Sequence, residues 1–163
     1  MSKFKLAFTF GRFNLLHLGH ISLFREMAFS ANEIIIGLST GEKNLSIRDR
    51  SQVIRHALNS DEKFTTAYEV QPRRQPFEFA AEIKQHDPSE VILYLGEDQF
   101  ELAKAFETRL GIQTELIPRM TSSTVIRTLI DNEEWTMLTK LIPLSILNKI
   151  VQLRETERCL ASH

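Results

Sequence analysis

Two histidines three residues apart, His17 and His20, are the side chains of this sequence with the clearest potential for chemistry. They follow an apolar run that ends at Phe10, and Gly11 separates that run from them. Backbone N–H groups at such a strand–turn–helix junction can bind the oxygens of a polyphosphate. Imidazoles at the helix start would then lie beside the phosphorus atom that is attacked. The segment predicts an enzyme that handles nucleotides.

A second polar segment, Thr121 to Arg127, begins over a hundred residues later and reads Thr-Ser-Ser-Thr-Val-Ile-Arg. It offers several hydroxyl groups and then a guanidinium. Arg127 comes one helical turn after Ser123, so both side chains can face the same anion if the segment is helical. Ser and Thr at this place are also typical helix N-caps, with Thr121 or Ser122 as the capping residue. Capping is compatible with phosphate binding, because both use the exposed N–H groups of the helix start.

These two segments belong to a chain in which strand-length apolar runs alternate with helix-length periodic ones. Strands are predicted at residues 5–10, 33–39, 64–70, 90–95 and 113–117. Helices are predicted between them at residues 19–30, 47–59, 76–86 and 99–110. Most of the strand runs are continuously apolar, as expected for strands covered on both faces. The pattern predicts an α/β fold with a single doubly wound, Rossmann-like, five-stranded parallel sheet and helices on both faces.

A C-terminal helical extension is predicted after the fifth strand, because no further strand signal occurs there. Its helices are expected at residues 123–132, 133–141 and 144–156, with a break at Pro143. The last helix carries an apolar stripe that suits packing on the domain or a homo-oligomeric interface, made of Ile146, Leu147, Ile150, Val151 and Leu153.

The chain length is typical of one domain, which is predicted over residues 1–158. The helical part of this domain is expected at about residues 121–158, and residues 159–163 are expected to form a frayed tail.

The composition excludes several classes of function. A formal net charge of −1 without a long basic run argues against a dedicated nucleic-acid-binding protein. Cys159 is the only cysteine, so an intrachain disulfide or a zinc site with several cysteines is impossible. No run approaches the ~18 apolar residues of a membrane span, and the N-terminus lacks a signal-peptide pattern. We therefore expect a cytoplasmic protein without a membrane partner.

The first segment resembles the signature of the nucleotidyltransferase superfamily at a set of spaced residues, Thr9, Gly11, Phe13, His17, Gly19 and His20. That superfamily includes nicotinamide mononucleotide adenylyltransferases, phosphopantetheine adenylyltransferase, flavin adenine dinucleotide synthetases and small cytidylyltransferases. The second segment is similar to the family's "Ile-Ser-Ser-Thr-x-x-Arg" element, with Thr121 in place of isoleucine. The two elements occur in the family's order and span most of the chain.

This resemblance implies transfer of a nucleoside monophosphate from a nucleoside triphosphate to a phosphate-bearing acceptor, with release of pyrophosphate. Such a reaction needs positioning and charge stabilisation rather than a covalent nucleophile. By the same resemblance, His17 stabilises the α-phosphate and His20 contacts phosphate near the transferred group. The β- and γ-phosphates would be bound by Ser122, Ser123, Thr124 and the clamping Arg127. In the family Mg²⁺ is carried by the triphosphate, and no metal site made of protein side chains is expected.

Further nucleotide contacts are expected at the end of the first strand and the start of the first helix, at Thr9, Phe10, Gly11, Arg12 and Gly19. Gly96 and Asp98 follow the fourth predicted strand, where this fold places ligand contacts, and resemble the "Gly-x-Asp" of nicotinamide mononucleotide adenylyltransferases. The equally weighted alternative makes Asp98 the N-cap of the following helix.

Three further side chains each have two possible roles. Arg73 and Arg74 could clamp an acceptor phosphate, although such a loop pair is usually only solvated. Trp135 is expected in the core, and stacking on a nucleotide base is its alternative role.

Different segments of the sequence point to different substrates. Residues 11–14, 96–98 and 141–147 resemble archaeal-type nicotinamide mononucleotide adenylyltransferases. Residues 15–17 and 38–44 resemble glycerol-3-phosphate-type cytidylyltransferases. Those enzymes, however, carry aspartate at the position of Asn14. They also carry an Arg-Thr-Glu-Gly run before the Ser-Thr pair, and this chain keeps only Arg119 of that run. We expect AMP transfer from ATP to nicotinamide mononucleotide, giving NAD. The alternatives are CTP with a small phosphorylated alcohol such as glycerol 3-phosphate, and a non-catalytic nucleotide sensor.

Overall fold

The computed structural model describes residues 4–40, 45–118 and 122–162, except the side chains at positions 123, 157 and 158. Its strands are β1 Phe4–Gly11, β2 Ala31–Ser39, β3 Ala67–Arg73, β4 Val91–Gly96 and β5 Gln113–Ile117. Its α-helices are α1 Leu18–Ser30, α2 Ile47–Asn59, α3 Ala80–Ile83, α4 Phe100–Leu110, α5 Ser123–Asp131, α6 Trp135–Leu141 and α7 Leu144–Ala161.

The five strands form one sheet in the order β3-β2-β1-β4-β5, and every neighbouring pair is parallel. The chain runs outward from β1 to β3, returns to place β4 beside β1, and then adds β5 at the other edge of the sheet. The predicted doubly wound parallel sheet is therefore confirmed. Because the strand order reverses between β1 and β4, a crevice forms at their carboxyl ends, where open α/β sheets bind ligands.

Neighbouring residues of β1, β2 and β4 enter separate hydrophobic clusters on the two faces of the sheet. In β4, Ile92 and Tyr94 belong to the larger cluster, which side chains of α1, α2, α5, α6 and α7 complete. Leu93 belongs to the smaller cluster, with the buried rings of Phe79 and Phe106. Coverage of both faces explains why the strands are continuously apolar in sequence.

A hydrogen bond ties the C-terminal end of α1 to the sheet. The Tyr94 hydroxyl donates to Ser30 Oγ at 2.9 Å, and the Ser30 hydroxyl donates to the Met27 carbonyl at 3.0 Å. Burial raises the pKa of Tyr94, because the phenolate is disfavoured away from water. This contact helps to fix the helix that carries His20 near its other end.

Ahead of the C-terminal helical extension, two predicted elements differ from the observed ones by more than two residues at an end. The third strand begins at Ala67 rather than at residue 64, because the Phe64 N–H donates to the Asp61 carbonyl in a turn. Phe64 packs against the larger hydrophobic cluster although it precedes the strand, which explains why this position is apolar. The helix predicted at residues 76–86 is a 3-10 turn, Pro76–Phe79, followed by the single turn of α3. Residues 84–87, Lys-Gln-His-Asp, are polar and do not extend the buried face of the helix.

α7 continues to Ala161, beyond the predicted end at residue 156, so residues 159–161 of the expected tail are helical. Ile146 and Ile150 of its apolar stripe are buried in the larger cluster, whereas Val151 is 45% exposed. Packing within the monomer thus accounts for most of the stripe, and a homo-oligomeric interface stays a prediction. Neither α7 nor any other helix in the described ranges is long and apolar enough to cross a membrane.

Gly37 in β2 lies directly against the fully buried ring of Phe79, and a Cβ atom at position 37 would approach Phe79 Cζ to 2.3 Å. We expect Gly37→Ala to lower the free energy of unfolding by about 1–3 kcal/mol, the usual cost of overpacking. Chemical denaturation measures this change. Adding Phe79→Leu should recover part of the loss, whereas strictly additive losses would show that the two positions do not interact.

Candidate active site

A cleft of about 450 Å³ opens at the carboxyl ends of β1, β4 and β5. This volume is in the range of small-molecule sites. The predicted site residues that line the cleft are Thr9, Phe10, Gly11, Arg12, His17, Gly19, His20, Gly96, Asp98, Ser122, Thr124 and Arg127. The side chain of Ser123 lies outside the described residues, as do Thr121, Arg119 and residues 41–44. The fold therefore brings both polar segments of the sequence to one place.

The loop from β1 to α1 is buried throughout residues 13–17. Phe13 has a φ of 44°, a left-handed conformation that costs a bulky residue about 1–3 kcal/mol. Its ring packs edge-on against His20 and tilted against Phe24, with centroid distances of 5.0 and 5.3 Å. A Cβ atom at position 11 would lie 3.1 Å from this ring, so Gly11 leaves the space that it needs. Packing of Phe13 thus offsets the strain of the turn that leads to the histidines.

The imidazoles of His17 and His20 stack on each other, with 3.7 Å between centroids and 20° between planes. His17 is the N-cap residue of α1 and is 4% exposed. Its carbonyl accepts hydrogen bonds from the N–H groups of His20 and Ile21, while its side chain makes no capping bond. The backbone of His17 therefore begins the helix, and its imidazole forms part of the cleft wall beside that of His20.

Arg50 was not predicted as a site residue, yet it is fully buried beside the β1–α1 loop. Its Nη1 donates to the Arg12 carbonyl at 2.6 Å, and its Nη2 donates to the Ser39 carbonyl at 2.9 Å. A buried cation is costly unless its donors are hydrogen-bonded, so these two bonds make the position tolerable. One side chain thereby joins the residues that follow β1 to the end of β2.

The sequence did contain a signal for this arginine. Arg50 precedes Val53, Ile54 and Ala57 at the i, i+3, i+4, i+7 spacing of a buried helix face, and all four residues are buried. A charged residue on such a face must find partners inside the protein.

The start of α5 forms the wall contributed by the second polar segment. Ser122 is its N-cap, and Ser122 Oγ accepts a hydrogen bond from the Val125 N–H at 3.3 Å. Ile126 is fully buried and anchors the first turn in the core. Thr124 and Arg127 line the cleft, so the unpaired N–H groups and positive dipole of a helix start lie at its edge.

The Gly96–Asp98 element also borders the cleft. The N-cap of α4 is Gln99, so the alternative that Asp98 caps this helix is wrong. A Cβ atom at position 96 would lie 2.6 Å from Asp98 Oδ1, and glycine therefore lets the carboxylate fold back over the backbone. Among the described residues that line the cleft, Asp98 is the one carboxylate. The described parts of the chain contain no cluster of three or more His, Cys, Asp or Glu side chains suited to a metal ion.

Arg73, Arg74 and Trp135 are not among the described residues that line the cleft. Arg73 forms an ion pair with Glu82 and lies 5.0 Å from the Phe79 ring centroid, so it is not simply solvated. Arg74 is exposed, as expected. Trp135 is 52% exposed at the start of α6, so the expected core position is wrong; Leu138 is the buried residue of that short helix.

A family model described as cytidylyltransferase-like matches residues 8–159. The chain belongs to this cytidylyltransferase-like family. The matched region contains both polar segments that line the cleft. The resemblance to the nucleotidyltransferase superfamily is thereby confirmed.

Local sequence similarity connects this family member to the nicotinamide-nucleotide adenylyltransferase of Methanolobus tindarius. The two are 38% identical over 58 residues, which cover 32% of this chain and 34% of that protein. The match thus spans about a third of the curated relative.

Solved structures share the fold over most of the chain. Plasmodium falciparum nicotinic acid mononucleotide adenylyltransferase, complexed with NaAD, has a TM-score of 0.67 at 12% identity. The alignment covers 91% of this chain and 95% of that one. Thermotoga maritima TmcAL, bound with alpha-thio ATP, has a TM-score of 0.61 at 12% identity, covering 91% of this chain and 55% of that one. At these identities the similarity establishes the fold alone.

The capping contact at the start of α5 predicts a specific loss of stability. We expect Ser122→Ala to lower the free energy of unfolding by about 1 kcal/mol, because the Val125 N–H loses its acceptor. Ser122→Asn should retain most of the stability, since asparagine is also a strong N-cap. Thr128→Ala in the same helix is the matched control, with an exposed side chain and an expected change below about 0.5 kcal/mol. Equal denaturation midpoints for the two alanine variants would contradict the capping role.

Proposed function

We propose that this protein is an adenylyltransferase that transfers AMP from ATP to nicotinamide mononucleotide, giving NAD and pyrophosphate. The observation that carries the proposal is the convergence of His17, His20 and Arg127 on one cleft at the switch point of the sheet. Membership in the cytidylyltransferase-like family supports nucleotidyl transfer as the class of reaction. The local similarity to a nicotinamide-nucleotide adenylyltransferase supports the acceptor.

In the proposed reaction, a phosphate oxygen of the acceptor attacks the α-phosphorus of ATP, and the bond between the α- and β-phosphates breaks. Negative charge is spread over the oxygens of the transferred group and the departing pyrophosphate. His17 and His20 donate ring N–H groups to these oxygens, since every imidazole tautomer carries at least one such donor. Their stacked, partly buried arrangement holds them in place before the reaction, which is the condition for effective charge stabilisation.

The pyrophosphate half of ATP is assigned to the start of α5. Its backbone N–H groups and the hydroxyls of Ser122 and Thr124 donate to the β- and γ-phosphates. Arg127 adds a planar cation suited to bidentate contact with phosphate. The resemblance assigns Ser123 to the same group of contacts.

Mg²⁺ is assigned to the triphosphate rather than to a protein cage. Asp98 is the one carboxylate among the described cleft-lining residues, and this donor set fits an ion held mainly by phosphate oxygens and water. When bound, the ion neutralises charge on the phosphate oxygens.

Removal of either imidazole should lower turnover without unfolding the protein. We expect His17→Ala and His20→Ala each to reduce the rate of pyrophosphate release by at least ~10²-fold, the usual loss for a preorganised charge-stabilising group. His56→Ala is the control, because His56 lies on α2 and is not among the described residues lining the cleft. Near-wild-type rates for either cleft variant, with folding verified by circular dichroism, would contradict the charge-stabilising role of that histidine.

The substrates are tested by a matrix of pyrophosphate-release assays. ATP and CTP are each offered nicotinamide mononucleotide, nicotinate mononucleotide, phosphopantetheine, flavin mononucleotide, glycerol 3-phosphate and phosphoethanolamine. The proposal predicts the highest kcat/KM for ATP with nicotinamide mononucleotide. Activity with CTP alone would replace it by the cytidylyltransferase alternative, which residues 15–17 favour. Nucleotide binding without turnover for any pair would favour the sensor.

A further inference from the structure

The turn that leads to the histidines is held from two sides by the segment at the start of α2. Before Phe13, the Arg12 carbonyl accepts from Arg50 Nη1 at 2.6 Å. After Phe13, Asn14 Oδ1 accepts from the Leu45 N–H at 3.4 Å. The strained φ of Phe13 therefore lies between two tethers to the same neighbouring segment.

The start of α2 is itself well fixed. Ser46 is its N-cap: Ser46 Oγ accepts from the Asp49 N–H at 3.0 Å and its hydroxyl donates to Asp49 Oδ2 at 2.8 Å. Arg50 follows immediately, and its second donor contacts the Ser39 carbonyl at the end of β2. The Arg50 guanidinium thus links the β1–α1 loop to a capped helix, α2, and to an interior strand, β2.

We propose that Arg50 is a positioning residue for the cleft. Its forked guanidinium holds the β1–α1 loop in the conformation in which Arg12, His17 and His20 face the substrate. Arg12 lines the cleft and also accepts the Arg50 hydrogen bond through its carbonyl, so the contact acts within the site. Arg50 is fully buried and is not among the described residues that line the cleft, so its effect passes through the loop. The catalytic part of this inference rests on the proposed function.

The Arg50→Lys substitution distinguishes the effect of the forked donor geometry from the effect of the positive charge. A Lys side chain keeps one positive charge but cannot hold two diverging carbonyls with a planar pair of donors. Arg55→Lys is the matched control, since Arg55 lies on the same helix and is exposed. Its Nη2 donates to the Val70 carbonyl at 3.4 Å and its Nε donates to Ser51 Oγ at 3.3 Å, so neither bond involves the β1–α1 loop. The pair of variants therefore makes the same chemical change at a buried and an exposed position of α2.

Hydrogen–deuterium exchange tests the tether without reference to activity. In Arg50→Lys we expect backbone amides of residues 11–17 to exchange at least ~10-fold faster than in the wild type, because the turn opens locally more often. Amides of α4, on the opposite half of the sheet, should exchange at the wild-type rate. Unchanged exchange in residues 11–17 would overturn the proposal, as would equal acceleration in Arg55→Lys.

Steady-state kinetics tests the consequence for the reaction. With the substrate pair that the wild type uses, Arg50→Lys should lower kcat at least ~10-fold and change the KM for the triphosphate less than about threefold, since misplacement mainly affects the transition state. Arg55→Lys should match the wild type. A folded Arg50→Lys variant with faster loop exchange and unchanged kcat would overturn the positioning role.

Two further outcomes concern an Arg50→Lys variant that does not fold and a wild type without turnover. If Arg50→Lys does not fold, Asn14→Ala cuts the other tether and should accelerate exchange in residues 11–17 in the same way; unchanged exchange there would overturn the proposal. If the wild type turns over none of the substrate pairs, the proposed function fails. The exchange experiment still decides whether Arg50 sets the conformation of the loop.

Discussion

The buried turn between β1 and α1 is the constraint on which the candidate site depends. Five consecutive loop residues, 13–17, are withdrawn from water, although loops normally lie on the surface. A bulky residue with positive φ, Phe13, stands at the start of this stretch, and its ring wedges between Gly11, His20 and Phe24. Such strain persists only where surrounding contacts over-determine it, which is typical of functional sites. Here those contacts fix the direction of two stacked imidazoles.

The second constraint is topological. Two polar segments separated by over a hundred residues meet because β1 and β4 are neighbours at the switch point, and α5 follows β5 on the same edge. Both segments present the start of a helix to the cleft, α1 through His17 and α5 through Ser122. Exposed N–H groups and the positive end of the helix dipole make both places suitable for anions. Charge complementarity with a polyphosphate therefore follows from the backbone before any cationic side chain is counted.

The sequence predicted the sheet and most of the polar residues that line the cleft, for separate physical reasons. Continuous apolar runs of strand length identified the strands because both faces of the sheet are covered. The histidines and the Ser-Ser-Thr-Val-Ile-Arg run were identified by their order and spacing. The bonds of Arg50 were not predictable, since their acceptors, the carbonyls of Arg12 and Ser39, leave no side-chain signal. The start of β3 and the exposure of Trp135 depend on tertiary packing, which overrides local apolar pattern.

The most direct test of this account is a crystal structure with a non-hydrolysable ATP analogue, because it shows whether the two segments bind one triphosphate. The account predicts α-phosphate oxygens within about 3.2 Å of nitrogen atoms of His17 and His20. It also predicts the β- and γ-phosphates at the first turn of α5, in contact with Arg127. A triphosphate that contacts only one of the two segments, or that binds outside the cleft, would contradict it.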